Sequence, residues 1–110
     1  MEFNIVATVG TSEVELKPYP GGVTGEVPAD KVRKVYAMIL TNTATAANTL
    51  TINIYREGGV EASLSLIVPA TSTLSITSNK LPLLVVPSKR TLKAVATSAN
   101  IILVMSCVDE

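Results

Sequence analysis

The chain has 110 residues, a formal net charge of +0, 47% hydrophobic and 16% charged residues, no His and one Cys. This length corresponds to one domain, which buries about two-thirds of its unfolded surface and can fold without disulfides or structural metals. One Cys cannot form an intrachain disulfide, and the spacings typical of zinc sites are absent. The neutral charge argues against a nucleic-acid partner, because nucleic-acid-binding domains usually carry a basic excess.

The beginning of the chain predicts neither a signal peptide nor a membrane span. Residues 3–9 are too short and follow too little positive charge for a secretory signal. Apart from the proline-bounded stretch 81–87, the longest apolar runs are 35–40 and 101–105. Both are far shorter than the ~20 residues of a spanning helix. We therefore expect a soluble chain with no membrane partner.

Alternation of apolar and polar residues predicts β-strands along most of the chain. It is clearest at residues 50–55, 62–66 and 74–76, and clusters rich in Pro, Gly, Asn and Ser separate these runs. The spacing of the clusters is typical of a sandwich or barrel. Within an error of about two to four residues, we predict strands at 3–9, 13–17, 32–41, 49–57, 61–68, 72–77, 83–86, 91–97 and 101–108. The predicted fold is therefore a single-domain, all-β protein, either an antiparallel β-sandwich or a jelly-roll-like barrel.

Residues 1–26 are more polar and richer in glycine than the body at 27–110. A Pro/Gly cluster at 18–22 could separate the two parts. Two interpretations remain open: an N-terminal arm, or the first two strands of the same sandwich.

The step Gly58-Gly59 between two alternating runs predicts a tight hairpin, because glycine tolerates the positive φ angles of such turns. The inward sets of the alternating strands predict a core. It comprises Leu50, Ile52, Ile54, Leu64, Leu66, Leu92 and Ala94.

Two strands, at 35–40 and 101–105, are apolar on both faces. In an antiparallel sandwich one of these faces would point outward, and exposed apolar patches usually mark contacts with partners. We therefore predict a homo-oligomer. The candidate interface residues are Tyr36, Met38, Leu40, Ile101, Leu103 and Met105. The alternative is that both strands are central and covered by the N-terminal arm or a long loop.

Groups for catalysis are scarce, and we predict that the protein is not an enzyme. Without His, the sequence lacks the usual general base at neutral pH. Cys107 has no candidate base and lies in a strand-like context, which favours a core position. Glu57 and Glu61 flank a glycine turn but lack the dense oxygen ligands of a calcium loop. We predict neither a metal site nor a cofactor.

Most basic residues fall in two groups, at 31–34 and 89–93. Both groups flank strands, where charge prevents edge-to-edge aggregation. The functional alternative is contact with an acidic protein surface or with packaged nucleic acid.

Residues 27–43 (VPADKVRKVYAMILTNT) combine a Pro, a short basic linker, an apolar strand and an Asn-Thr loop. Residues 68–74 (VPATSTL) add a Pro-Ala-Thr turn, and 82–86 (PLLVV) with 91–96 (TLKAVA) add two strands. Together these segments resemble a small β-sandwich module of tailed-bacteriophage and related virion proteins, over about residues 27–110. One departure is the turn at 87–90 (PSKR), which lacks the glycine usual in such modules. The resemblance implies a structural role in a virus particle, as a decoration, neck or tail component, without catalytic residues.

Three functions compete. The first is a virion structural protein that assembles into a homo-oligomer or binds a capsid or tail surface, with other virion proteins as further partners. The second is a binding module for carbohydrate or another ligand, located in the cytoplasm rather than the virion, although the chain has no Trp and only three Tyr. The third is a hydrolase that works through two carboxylates.

Overall fold

The computed structural model describes residues 2–19, 21–78 and 80–110, and it contains ten strands there. In chain order they are β1 (Glu2–Val9), β2 (Val14–Glu15), β3 (Pro18–Tyr19), β4 (Arg33–Asn42), β5 (Asn48–Arg56), β6 (Gly59–Val68), β7 (Ser72–Thr77), β8 (Leu84–Val86), β9 (Thr91–Ala96) and β10 (Ile101–Asp109). Every pairing between these strands is antiparallel. The predicted all-β antiparallel fold is confirmed. Within the ranges described, no helix is long and apolar enough to cross a membrane.

The strands form two sheets that pack face to face. Sheet A has six strands in the order β3-β1-β10-β4-β7, with β8 also paired to β4. Sheet B has four strands in the order β2-β9-β5-β6. Most connections between consecutive strands pass from one sheet to the other, so the two sheets belong to one sandwich.

The nine predicted strands are all present, with ends that differ from the predicted ones by at most two residues. The additional strand, β3, falls inside a predicted turn and pairs with β1 at two positions. Met1, Pro20 and Asn79 lie outside the described residues. Pro20 belongs to the Pro/Gly cluster at 18–22, and Asn79 lies between the strands predicted at 72–77 and 83–86.

Several turns contain backbone in the left-handed region, and two of them bear on features noted in the sequence. In the β5–β6 hairpin, Glu57 has φ 52° and Gly58 has φ 86°, the signs that a two-residue hairpin turn requires. The hairpin was predicted correctly, but the turn lies one residue earlier than Gly58-Gly59. In the turn before β9, Lys89 has φ 65°. A lysine therefore adopts the conformation for which glycine is usually needed.

The core lies between the two sheets. Of the residues predicted to form it, Leu50, Ile52, Ile54, Leu92 and Ala94 are buried, whereas Leu64 and Leu66 are only half-buried. The other buried apolar residues are Ile5, Val9, Leu16, Val27, Val35, Met38, Leu40, Val68, Val86, Ala96, Ile101, Leu103, Met105 and Cys107.

One long side of the sandwich, which we call the covered side, lies between β3 of sheet A and β2 of sheet B. The covering segment, residues 10–19 and 21–27, pairs with β1 through β3 and with β9 through β2. It places Leu16 and Val27 in the core, each with no exposed surface. The amide of Leu16 donates to Leu92 O at 2.9 Å, and the amide of Val27 donates to Arg90 O at 2.9 Å.

A buried arginine holds this segment in place. Arg33 donates from Nε and Nη2 to the two carboxylate oxygens of Asp109, at 2.8 and 3.0 Å, and from Nη1 to Gly25 O at 3.2 Å. Its guanidinium carbon also lies 4.7 Å from the centre of the Phe3 ring. The arginine therefore links β4, β10 and the covering segment, and its charge is paired within the core.

The opposite side, which we call the open side, lies between β6 of sheet B and β7 of sheet A. These are the outermost strands of their sheets on this side. Of their inward residues, Leu64 and Leu66 on β6 and Leu74 and Ile76 on β7 are half-buried. Val68, at the end of β6, is buried. Among the described residues, no strand pairs with the outer edge of β6 or β7. The core is thus accessible to solvent along this side.

Candidate functional site

The predicted interface residues do not share an exposed face. Tyr36 is half-buried. The other five are buried between the sheets: Met38, Leu40, Ile101, Leu103 and Met105. The expectation that side chains of this set point outward is therefore wrong for the five buried residues, and Tyr36 is the one that reaches the surface. The opposite face of the same two strands is the outward one.

A β-bulge in β4 explains why Val35, Met38 and Leu40 share one face, although a strict period of two would separate Val35 from the other two. Ser106 of β10 pairs with Ala37, but the next residue, Cys107, pairs with Val35, so Tyr36 is an extra residue in β4. A bulge of this kind shifts the alternation of the strand by one residue. Val35 before the bulge and Met38 after it consequently both face the core.

Strand β10 has no such shift, and its sequence contains a signal for the correct orientation. Ser106 is polar and lies between Met105 and Cys107, which are both buried. Extending the period of two from Ser106 places Val104 and Ile102 outward as well. This signal was available from the sequence and was missed.

The outward residues of β1, β10, β4 and β7 form a continuous surface, which we call the outer face. Cross-strand pairing arranges them in three rows. The rows are Thr8-Ile102-Thr41-Thr73, Val6-Val104-Ile39-Ser75 and Asn4-Ser106-Ala37-Thr77. None of these twelve residues is charged. At its centre, Val6, Ile39 and Ile102 are 41%, 42% and 46% exposed.

A pair of charged residues borders this face at the end where β4 begins and β10 ends. Lys34 Nζ lies 2.9 Å from a carboxylate oxygen of Glu110. The hydrogen bond between them lowers the pKa of Glu110 and raises the pKa of Lys34. Both groups are exposed, so the pair marks the border of the outer face and stabilises the fold little.

The outer side of sheet B is different, because it carries a charged hydrogen-bond network. Glu13 accepts hydrogen bonds from Tyr55 Oη at 2.6 Å and from Asn53 Nδ2 at 2.9 Å. The Lys93 ammonium lies 4.6 Å from the centre of the Tyr55 ring. The bond from Tyr55 lowers the pKa of Glu13 and raises that of Tyr55. A sheet surface that faces solvent ordinarily carries charged or polar groups of this kind. The outer face of sheet A carries no charged residue.

A shallow depression of about 710 Å³ lies beside the bulge, at the end of the outer face. Its lining includes Tyr36, Asn4, Ser106, Glu2 and Glu110. Bulges commonly redirect a side chain next to a binding site. An aromatic ring among amide, hydroxyl and carboxylate groups is chemically suited to hydroxyl-rich ligands.

The Cys107 thiol is buried on the inward face of β10, as a core residue would be. Burial raises the pKa of this thiol to about 12, so it is protonated at neutral pH. Among the residues described, no three His, Cys, Asp or Glu side chains are grouped as metal ligands would be. Glu61, considered as a cation ligand, instead pairs with Arg90 at 3.3 Å and Arg56 at 3.6 Å.

Most of the basic residues in the two groups contact other side chains of the same chain. Arg33 pairs with Asp109, Lys34 with Glu110 and Arg90 with Glu61. Lys93 lies over Tyr55. These contacts account for four of the six basic residues and favour a structural role for them.

Comparison with known proteins does not assign the chain to a family. No protein-family model matches the chain, and no curated protein matches its sequence. The resemblance to virion sandwich modules therefore stays a hypothesis.

Proposed function

We propose that this protein is a non-enzymatic structural protein that assembles with further copies of itself in a virus particle. The observation that carries this proposal is the outer face, twelve uncharged residues over four strands with aliphatic side chains at the centre. Five of the twelve residues are apolar and seven are Ser, Thr or Asn. An exposed cluster of apolar side chains on a small domain usually marks a protein contact. The resemblance of residues 27–110 to virion modules supplies the proposed setting.

The outer face forms the centre of the proposed contact between copies, and a complete interface would extend beyond its twelve residues. Four strands at a spacing of about 4.8 Å, with five residues of each strand at about 3.3 Å per residue, span roughly 300 Å² in projection. Side-chain relief makes the accessible area larger, and a stable interface buries about 800 Å² on each partner. A second copy is the proposed occupant because an uncharged face meets an identical face without repulsion or unpaired charge.

This proposal retains the predicted strands and changes the predicted residues. The contact is assigned to Val6, Ile39, Ile102 and Val104, which face outward, rather than to Met38, Leu103 and their buried neighbours. Other virion proteins, such as a capsid or tail component, are proposed as further partners.

The test is the oligomeric state of the wild-type protein and of Ile39→Lys, measured by size-exclusion chromatography with light scattering. Ile39 lies in the middle row, so a lysine there places like charges at the centre of the contact. We expect the wild-type protein to be oligomeric and the variant to form smaller, folded species. Ser12→Lys, an exposed position outside the outer face, is the matched control. A monomeric wild-type protein at high concentration contradicts the proposal.

A second candidate, a carbohydrate- or ligand-binding module, is favoured by the depression at Tyr36. Binding of the wild-type protein and of Tyr36→Ala to a panel of immobilised glycans tests it. Binding that requires Tyr36 supports this function over the structural one. Equal signals from both proteins contradict it.

A further inference from the structure

The outer edge of β6 is unusually unprotected. Its segment Ala62–Val68 contains seven residues with no charged side chain, no proline and no glycine. Among the described residues no strand pairs with this edge, although Val68 O at its end accepts a hydrogen bond from Asn42 Nδ2 at 3.1 Å. Natural proteins generally protect such edges with charges, prolines, bulges or a covering segment.

The edge of β6 is protected by a bulge and by charge at Glu61, just before Ala62, but not beyond it. Glu61 is a bulge residue, because Tyr55 pairs with Val60 whereas Ile54 pairs with Ala62. The same glutamate carries ion pairs with Arg90 and Arg56. From Ala62 onward neither device occurs, and the side chain of Ile67 is 68% exposed.

The inward side of this segment is incomplete as well. Leu64 pairs with Ile52 and Leu66 with Leu50. Ile52 and Leu50 are buried, whereas the two leucines of β6 are half-exposed. Leu74 of β7 is half-exposed on the facing sheet. A strand added beside β6 would cover these aliphatic groups, as β2 and its flanking residues cover the opposite side.

We propose that Ala62–Val68 pairs antiparallel with the same segment of a second copy, about a two-fold axis. The two four-stranded sheets then form one continuous eight-stranded sheet. Such an isologous contact uses the same surface on both subunits. It is separate from the outer face, so either contact can exist without the other.

The segment is suited to pairing with itself. Directly opposed residues in an antiparallel pair point to the same side of the sheet. With the axis at Ser65, Leu64 of one copy lies opposite Leu66 of the other, and both leucines point toward the core. Glu61 then lies opposite Pro69 of the other copy, so no like charges meet. Each copy thereby completes the open side of the other, whereas a charged partner strand would find no opposite charge along Ala62–Val68.

Cysteine cross-linking tests the pairing directly. Ser65 is exposed and lies on the outward side of β6, so Ser65→Cys places two thiols close together at the two-fold axis. Mild oxidation should convert this variant into a covalent dimer many times faster than Ser12→Cys, an exposed control position. Native Cys107 is buried and does not compete.

A second variant tests the energetic contribution without a covalent bond. Ser65→Lys places like charges close to each other across the axis, and it should raise the dimer dissociation constant about tenfold or more. Circular dichroism should show that the monomer stays folded, because Ser65 is a surface residue. Ser12→Lys is again the control.

The outcomes separate this contact from the outer face. Fast cross-linking at position 65 together with weaker association of Ser65→Lys supports edge pairing, whatever Ile39→Lys does. Cross-linking no faster than in Ser12→Cys, or unchanged association of Ser65→Lys, overturns it. If Ile39→Lys alone reduces the oligomer, the proposed function stands and the edge contact is wrong.

Discussion

The two long sides of the sandwich differ in how their sheet edges are closed. On the covered side, residues 10–19 and 21–27 pair with both sheets and bury Leu16 and Val27 completely. On the open side, β6 and β7 have no additional strand, and their inward leucines stay half-buried. The same kind of aliphatic side chain therefore has a different environment at the two ends of one core.

This difference shows what closing a sandwich side requires. The covering segment needs hydrogen-bond partners on both sheets, a buried arginine to hold it and glycines where it approaches itself closely. Nothing comparable follows β6 within the described residues. Since protein edges are normally protected, we infer that closure of the open side comes from another copy.

Among the substitutions considered, we expect the largest loss in the free energy of unfolding at Arg33, on the covered side. Arg33→Ala removes the guanidinium from Asp109, whose side chain is only 10% exposed, and removes a hydrogen bond to Gly25 O. Breaking a buried ion pair by deleting one partner costs about 3–5 kcal/mol. Urea denaturation monitored by circular dichroism measures the change.

The control for this prediction is Arg56→Ala. Arg56 is 58% exposed and lies 3.6 Å from Glu61, and exposed pairs contribute little. We expect no measurable change in the free energy of unfolding. A similar loss in both variants would mean that burial of Arg33 does not matter.

The next comparison is between leucines on the two sides. Leu16→Ala should cost about 2–5 kcal/mol, as other large-to-small changes in a core do. Leu66→Ala should cost less at low protein concentration, because Leu66 already contacts solvent in the single chain. If the open side pairs with a second copy, the cost at Leu66 should increase with protein concentration. Equal, concentration-independent losses would remove the distinction between the two sides.

The strands themselves could be predicted because alternation is a local property. Leu50, Ile52 and Ile54 alternate with polar residues, and the structure buries all three. Their orientation follows from the period of two, whatever else surrounds the strand. Alternation, the apolar runs at 35–40 and 101–105 and the turn clusters between them together placed every long strand within two residues of its observed ends.

The orientation of β4 could not be predicted, because the bulge at Tyr36 is a property of its pairing with β10. Nothing within residues 35–40 marks the extra residue. The partial exposure of Leu64 and Leu66 was equally beyond reach, since it depends on which strands cover β6 and not on β6 itself. The outward residues of β4 and β10 were consequently misidentified, apart from Tyr36.

The smallest effect concerns a glycine in the covering segment. A Cβ on Gly25 would lie 2.5 Å from Leu16 O and 2.9 Å from Cγ of Glu15, whose carboxylate accepts the Gly25 amide hydrogen bond. Because Leu16 O is backbone, the segment must move apart to accommodate Gly25→Ala, and strain of this kind typically costs about 1–3 kcal/mol. Gly59→Ala in the β5–β6 hairpin is the matched control, since its Cβ would meet only Arg56 O, at 3.9 Å. We expect thermal denaturation to show a lower melting temperature for Gly25→Ala and almost none of this loss for Gly59→Ala. Equal melting temperatures for the two variants would mean that the covering segment accommodates a methyl group at Gly25 without strain.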